Sequence, residues 1–354
     1  MTLAPVFRSP EAVSALQNKG YWSKLERSFE AHRTADRTLR ALLNEVIDDQ
    51  YIDAGAKESD DLPFLQENFF LILFHSLFET LGCEAERLKC YTLLNACIRG
   101  VVLSGDNLFD DEDKLVLPLN LSRGRRFMSI VQMICFQGLI RRVLDGHGQW
   151  LTNGERDRFH RDLLSTLTAI GRLEGSEEAG VKEVPEVEAM VDAVHRVRGG
   201  SLFSLAFIAP RIGERGTNAE AWKKAEEGVS RLGTAFQIVD DLTDLEFDLG
   251  RESHNLLVAQ IVHAGTQDER NLLEELMRSP EMRARGGWVE KGLKNAASEV
   301  LERARMEAEK GFKTLESTGF WFDPEDAQLF VRAIAGDAGY HRVQGLDARR
   351  ANAT

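Results

Sequence analysis

The chain has 354 residues, a formal net charge of −13 and 43% hydrophobic residues. No basic block offsets the acidity, which argues against nucleic-acid binding as a primary role. A small anionic substrate remains open, because a few arginines or metal ions reverse the sign inside a pocket.

Eight prolines are few for this length, and apolar residues recur with helical period throughout. Residues 11–50 read as two amphipathic helices, the second over 35–50, followed by a polar loop from Ala54 to Pro63. Helices are predicted at about 64–81 and 84–110, broken near Gly82. The apolar stretch from Asn68 to Phe78 is too short to span a bilayer. The N-terminus lacks the basic and apolar regions of a secretory signal. A cytoplasmic protein without a transmembrane segment is the expectation. Cys83, Cys90 and Cys97 recur every seven residues, about 10 Å apart on a helix face. That is too far for a disulfide, and core packing is expected.

A loop with Pro118 leads to Arg123, Arg125 and Arg126 and a helix from about Phe127 to Leu144, then another over 154–172. Gly171 to Pro185 is a glycine-rich acidic connection. Helices follow near 186–211, 218–249, 253–264, 267–278, 286–316 and 324–335, with a frayed tail from Arg342. With no repeat, linker or composition shift, one all-α domain over 1–354 is expected: N-terminal helices 1–60, a core 61–264 and C-terminal helices 265–354.

Two acidic clusters interrupt this pattern: Asp106-Asn107-Leu108-Phe109-Asp110-Asp111 and Asp240-Asp241-Leu242-Thr243-Asp244. Each ends an apolar stretch, where carboxylates are costly unless paired or holding a cation. Asp106 and Asp110 are i,i+4, as are Asp240 and Asp244, so each pair stacks on one helix face. Oxygen-only donors suit hard divalent cations, above all Mg²⁺ held together with substrate phosphates. Asp111 adds a carboxylate on an adjacent face.

These clusters, with Phe236-Gln237 before the second and Arg198-Gly199-Gly200-Ser201-Leu202-Phe203 between them, resemble the motifs of the trans-prenyl diphosphate synthases. This polyprenyl synthetase family belongs to the class I isoprenoid synthases. The clusters match its two DDxxD motifs, and Arg198 stands at the lysine of its KTGxLF element. The likeness covers about residues 60–260. It implies a bundle of long helices around a central cavity and a homodimer. It also implies Mg²⁺, about three ions with substrate bound, and an allylic prenyl diphosphate as substrate. Asp106, Asp110, Asp240, Asp241 and Asp244 would be catalytic, with Asp106, Asp110, Asp111, Asp240 and Asp244 as metal ligands. Arg198, Arg251, Gln237, Arg99, Arg125 and Arg126 would contact the substrate or its metals.

Two departures stand out. Asn107 replaces the second aspartate of the first motif. The family's basic GGKR element, which holds isopentenyl diphosphate, falls on about Leu65-Gln66-Glu67-Asn68, where no basic residue stands. Arg99 occupies the helix that usually carries a glutamate and a histidine before the first motif. Prenyl transfer is the leading expectation. A terpene cyclase or lyase acting on a single diphosphate is the rival, and a non-catalytic regulatory subunit is the alternative from another class.

Overall fold

The computed structural model describes residues 14–15, 17–109, 114–121, 124–216, 218–335, 342–343 and 345–346. Asp110 and Asp111 of the first acidic cluster, and Arg123, lie outside the described residues. Among the described residues the chain is all-α, with no strand and one isolated bridge between Ile52 and Leu119. In chain order the helices are α1 (Trp22–Leu43), α2 (Asp61–Thr80), α3 (Ala85–Phe109), α4 (Arg125–His147), α5 (Asn153–Ser176) and α6 (Val187–Met190). A π-helical segment (Val191–Gly200) continues α6 and leads through α7 (Ser201–Ser204) to α8 (Ile208–Gly213). Then come α9 (Ala219–Thr243), α10 (Leu245–Arg251), α11 (Leu256–Ala264), α12 (Gln267–Arg278), α13 (Pro280–Arg285), α14 (Trp288–Lys291), α15 (Lys294–Glu316) and α16 (Ala327–Ile334).

The helix ends follow local chemistry. Gly82, at φ 77°, adopts the left-handed conformation just after α2. Thr266 and Glu269 form a reciprocal capping box at the start of α12. Asn255 caps α11 by accepting from the Leu257 and Val258 amides. Over 11–50 the boundary differs from expectation: residues 14–15 and 17–18 are helical, and after a turn α1 runs unbroken through residue 35, where the second helix was expected to start, because Leu25, Phe29, Ala35, Leu39 and Leu43 keep one buried stripe. The predicted helix over 286–316 is also divided: it begins only after Gly286 and Gly287, both at positive φ, and breaks at Gly292, which ends α14.

The chain forms two compact units. Of the described residues, those within 17–162 and 205–222 form one unit, and those within 7–16, 163–204 and 223–354 form the other. In the first, α1, α2 and α4 pack on α3, with Tyr91, Phe78, Phe136 and Ile72 deeply buried. Cys90 and Cys97 are fully buried and Cys83 half-buried, in accord with a packing role. In the second, α15 packs on α11 and α16 around Phe312, Phe322 and Phe330.

Helix α4 is long and apolar enough to cross a membrane by length and composition, with a mean hydropathy of 1.3 over its most apolar window. Its inner face, including Cys135, Phe136, Leu139 and Val143, is nevertheless buried in the first unit. Phe127 is 57% exposed, along with Ile130 and Ile134 on the same side.

Helices α3 and α4 approach closely where Gly100 lies flat against the Phe136 ring, leaving no room for a Cβ. Gly100→Val should therefore overpack this contact and cost about 1–3 kcal/mol. A lower Tm, partly recovered when Phe136→Leu is added, checks this packing; an unchanged Tm contradicts it.

Candidate metal and diphosphate site

The second acidic cluster sits at the end of α9 and the start of α10. Backbone bonds from Asp244 N to Asp240 O and from Asp248 N to Asp244 O, both 2.9 Å, carry the helical register through the junction. Asp240, Asp244 and Asp248 thus form an i,i+4,i+8 carboxylate row, each half-buried. Burial, reinforced by the charges of Asp240, Asp248 and Asp241, pushes the Asp244 carboxyl up to about 9. Burial and the charge of Asp241 also raise Asp248, against a hydrogen bond from Asn255. Such crowding is a surplus of negative charge that a hard divalent cation relieves.

Asp241 faces the other way. It is 2% exposed, and its Oδ2 accepts from His195 Nε2 at 2.7 Å and from the Leu256 amide at 2.5 Å. Its Oδ1 receives a longer contact from Gln237 Nε2 at 3.5 Å. The Leu256 amide is the first of α11, so the carboxylate also meets the positive end of that helix. Asn255 donates to the Asp241 carbonyl and to Asp248 Oδ2, both at 2.8 Å. His195 Nδ1 also lies 3.1 Å from the Met190 carbonyl, a second contact that fixes the ring.

This reach is set by close helix packing. Gly199 and Gly233 touch backbone to backbone, so neither position has space for a Cβ. The π-helical segment can therefore lie directly on α9 and deliver His195 to Asp241. Gln237, one turn before the motif, also donates to Asp240 Oδ2 at 3.3 Å.

Arg198 is 14% exposed at its side chain and forked between Glu174, 2.5 Å from Nε, and Glu177, 2.7 Å from Nη2. Burial opposes its charge, but the two glutamates win and hold its pKa above the ordinary arginine value. Burial likewise opposes ionisation of Glu177, yet the His254 hydrogen bond and Arg198 hold its carboxyl below the usual range. The predicted phosphate ligand is thus an internal ion pair in this structure. Arg251 is exposed in the last turn of α10, with its guanidinium 5.4 Å from the centre of the Phe247 ring. Arg342 is anchored rather than frayed: it donates to the Leu242 carbonyl at 2.6 Å and pairs with Glu290 at 2.6 Å.

In the first unit, Asp106 is half-buried near the end of α3, and Arg125 and Arg126 are exposed in the first turn of α4. Burial lowers the pKa of Arg99, while Glu67 and Asp36 act to raise it. Burial pushes nearby His32 down to about 3 and His75 down to about 4, so both rings are neutral at pH 7. Asn107 is 2% exposed, with its amide on the backbone of Lys114.

No family model and no curated protein matches the sequence. Solved structures do. The polyprenyl synthetase from Streptomyces coelicolor A3(2) aligns over 88% of this chain and 98% of its own, at 18% identity and a TM-score of 0.57. The chain has the fold of the trans-prenyl diphosphate synthases. A geranylgeranyl pyrophosphate synthetase from Pyrococcus horikoshii Ot3 aligns over 88% of this chain and 99% of its own, at 15% identity and a TM-score of 0.56. A decaprenyl diphosphate synthase from Rhodobacter capsulatus aligns over 90% and 99%, at 17% and 0.54.

The donors of the second cluster are carboxylate oxygens crowded in a half-buried row, which fits Mg²⁺ in kind. Among the described residues, no three His, Cys, Asp or Glu side chains converge as a ready-made metal cage.

His195, Asn255, Glu174, Glu177 and Asp248 were not singled out on sequence. A histidine three residues before Arg198 in a glycine-terminated helix was the one available signal.

The raised Asp244 carboxyl gives a signed pH effect. The native state binds this proton more tightly than the unfolded state, so stability falls as pH rises from the ordinary carboxylate value toward about 9. With chelator present, Tm should fall between about pH 5 and about pH 9. Mg²⁺ should oppose the fall, and Asp244→Asn should flatten it. A Tm that rises across this range in chelator contradicts the assignment.

Proposed function

We propose that this protein is a Mg²⁺-dependent class I isoprenoid synthase that ionises an allylic prenyl diphosphate, acting as a prenyltransferase. The observation that carries this reading is the half-buried row of Asp240 and Asp244, held by an inward-turned Asp241 on a chain with the prenyl synthase fold. Asp240 and Asp244 would hold the cation in the second unit, and Asp106, with Asp110 and Asp111, provides the donor set of the first motif. Bound Mg²⁺ would supply charge neutralisation for the departing diphosphate.

The chain's own side chains prepare that event. Gln237 orients Asp240 through its amide. Asp241, with His195 and the start of α11, fixes the direction in which the row points. Arg251, Arg125 and Arg126 are exposed cations suited to diphosphate oxygens. Arg198 would reach a phosphate by exchanging its bonds with Glu174 and Glu177 for bonds to the ligand.

A second reading, cyclisation or lysis of a single diphosphate, is favoured by the surroundings of Arg99. Glu67 and Asp36 offset its charge, and neutral His32 and His75 add none. A second diphosphate gains little attraction there.

Asp240→Ala and Asp106→Ala should each lower turnover by at least about 100-fold while leaving the helical circular-dichroism signal intact. Unchanged activity in either variant defeats the metal assignment. Mass spectrometry of products from C10 to C20 allylic diphosphates with Mg²⁺, with and without isopentenyl diphosphate, separates the two reactions. Longer diphosphates formed only with isopentenyl diphosphate establish transfer. A hydrocarbon or alcohol formed without it establishes cyclisation or lysis.

A further inference from the structure

The acidic row crosses a break in the helix that carries it. Asp240 belongs to the last turn of α9, whereas Asp244, at φ −109° and ψ 12°, stands at the start of α10. An unbroken helix would give Phe247 N to the Thr243 carbonyl, but here it turns to the Asp244 carbonyl at 2.9 Å. The last carbonyls of α9 therefore need partners from elsewhere. Asp240 O accepts from Asp244 N and Thr243 Oγ1, both at 2.9 Å, and Asn255 serves Asp241 O. Leu242 O and Thr243 O remain, on the peptide units that join the two proposed ligands.

Arg342 supplies both. Its Nη1 donates to Leu242 O at 2.6 Å and makes a longer contact to Thr243 O at 3.4 Å. Its Nε donates to Glu290 Oε1 on α14 at 2.6 Å, and its Nη2 stands 3.7 Å from Glu246 Oε1 on α10. That glutamate oxygen is buried without a hydrogen bond, and the ion pair offsets its charge. All three guanidinium nitrogens are thus engaged, by three different elements, on a side chain that is 12% exposed. A lysine has one nitrogen and cannot span them. The place also suits a cation, because the negative end of the α9 dipole falls there among crowded carboxylates.

We propose that Arg342 is a positioning residue for the acidic row: by gripping the carbonyls of Leu242 and Thr243 it fixes Asp244 relative to Asp240. This rests on the metal-dependent reading above. The arginine acts through the backbone and not as a diphosphate contact, since its nitrogens are engaged by carbonyls and carboxylates. Glu290 and Glu246 aim the fork, Glu290 from a four-residue helix that ends at Gly292. A residue 100 positions beyond Leu242 in sequence thereby belongs to the site.

The test uses the purified full chain, with Mn²⁺ binding in the presence of inorganic pyrophosphate followed by electron paramagnetic resonance. In parallel, kcat and KM for an allylic diphosphate are measured at saturating Mg²⁺, at a temperature where each variant is fully folded. Arg342→Gln should weaken Mn²⁺ binding about fivefold and lower kcat about tenfold or more, with KM within about threefold of wild type. Arg342→Lys keeps the charge and loses the fork, so it should fall between glutamine and wild type. Glu290→Gln should show part of the loss, and adding it to Arg342→Gln should cost nothing further, because both act through one contact. Asp240→Ala should weaken Mn²⁺ binding by at least about tenfold, which is the control for the underlying metal reading.

An Arg342→Gln protein with a lower Tm but wild-type Mn²⁺ binding and kcat overturns the proposal, since the arginine is then a structural anchor only. A large rise in KM with Mn²⁺ binding and kcat unchanged also overturns it, because that is how a diphosphate contact behaves. Unchanged binding in Asp240→Ala instead overturns the metal reading itself. Should Arg342→Gln fail to fold, Arg342→Lys and Glu290→Gln carry the test. Wild-type Mn²⁺ binding and kcat in both reject the positioning role, and a several-fold loss of both quantities in either supports it.

Discussion

One buried carboxylate, that of Asp241, organises the second unit around the acidic motif. A charge at 2% exposure is costly unless hydrogen bonds replace its water. Here the replacement comes from three separate places: the π-helical segment through His195, the start of α11 through Leu256, and the preceding turn of α9 through Gln237. Each donor must arrive in place for the carboxylate to be tolerated, so the cost of burial becomes a geometric specification. The Gly199–Gly233 contact follows from it, because a bulkier pair would hold His195 out of reach. So does the capping role of Asn255, whose side chain secures the carbonyl of the same aspartate.

Charge in this unit is sorted by direction as well as sign. The carboxylates of Asp240, Asp244 and Asp248 crowd along one row, and burial keeps Asp244 protonated well past the ordinary range. Close by, Arg198 is neutralised by Glu174 and Glu177, with His254 completing the set. An arrangement of this kind is poor for an unliganded protein and suitable for one that meets an external cation.

Much of the helical framework was legible from periodicity and punctuation. The element over 267–278 matches α12, where apolar spacing and a Thr-x-x-Glu start agree. The i,i+4 relation of Asp240 and Asp244 was equally legible, because it depends only on helical register. What escaped depends on long-range contact. His195 and Asp241 are 46 positions apart, and nothing local marks them as partners. Arg198 has phosphate-binding chemistry in isolation, and only the fold shows the two glutamates already holding it. The division of 286–316 was missed for a local reason: the pattern on either side of Gly292 is helical, and periodicity does not report that α14 ends there.

The π-helical segment has a consequence for how this protein tolerates change. Its wide turns let His195 address Asp241 while Arg198, three residues on, addresses Glu174 and Glu177. Those directions depend on the number of residues wound into the segment more than on the identity of most of them. Losing one residue between the two would rewind the stretch toward ordinary α-helix and swing one side chain off its partner. Related sequences should therefore vary in composition here far more freely than in length, so that a gap in an alignment across 191–200 signals a rebuilt site rather than a trimmed loop.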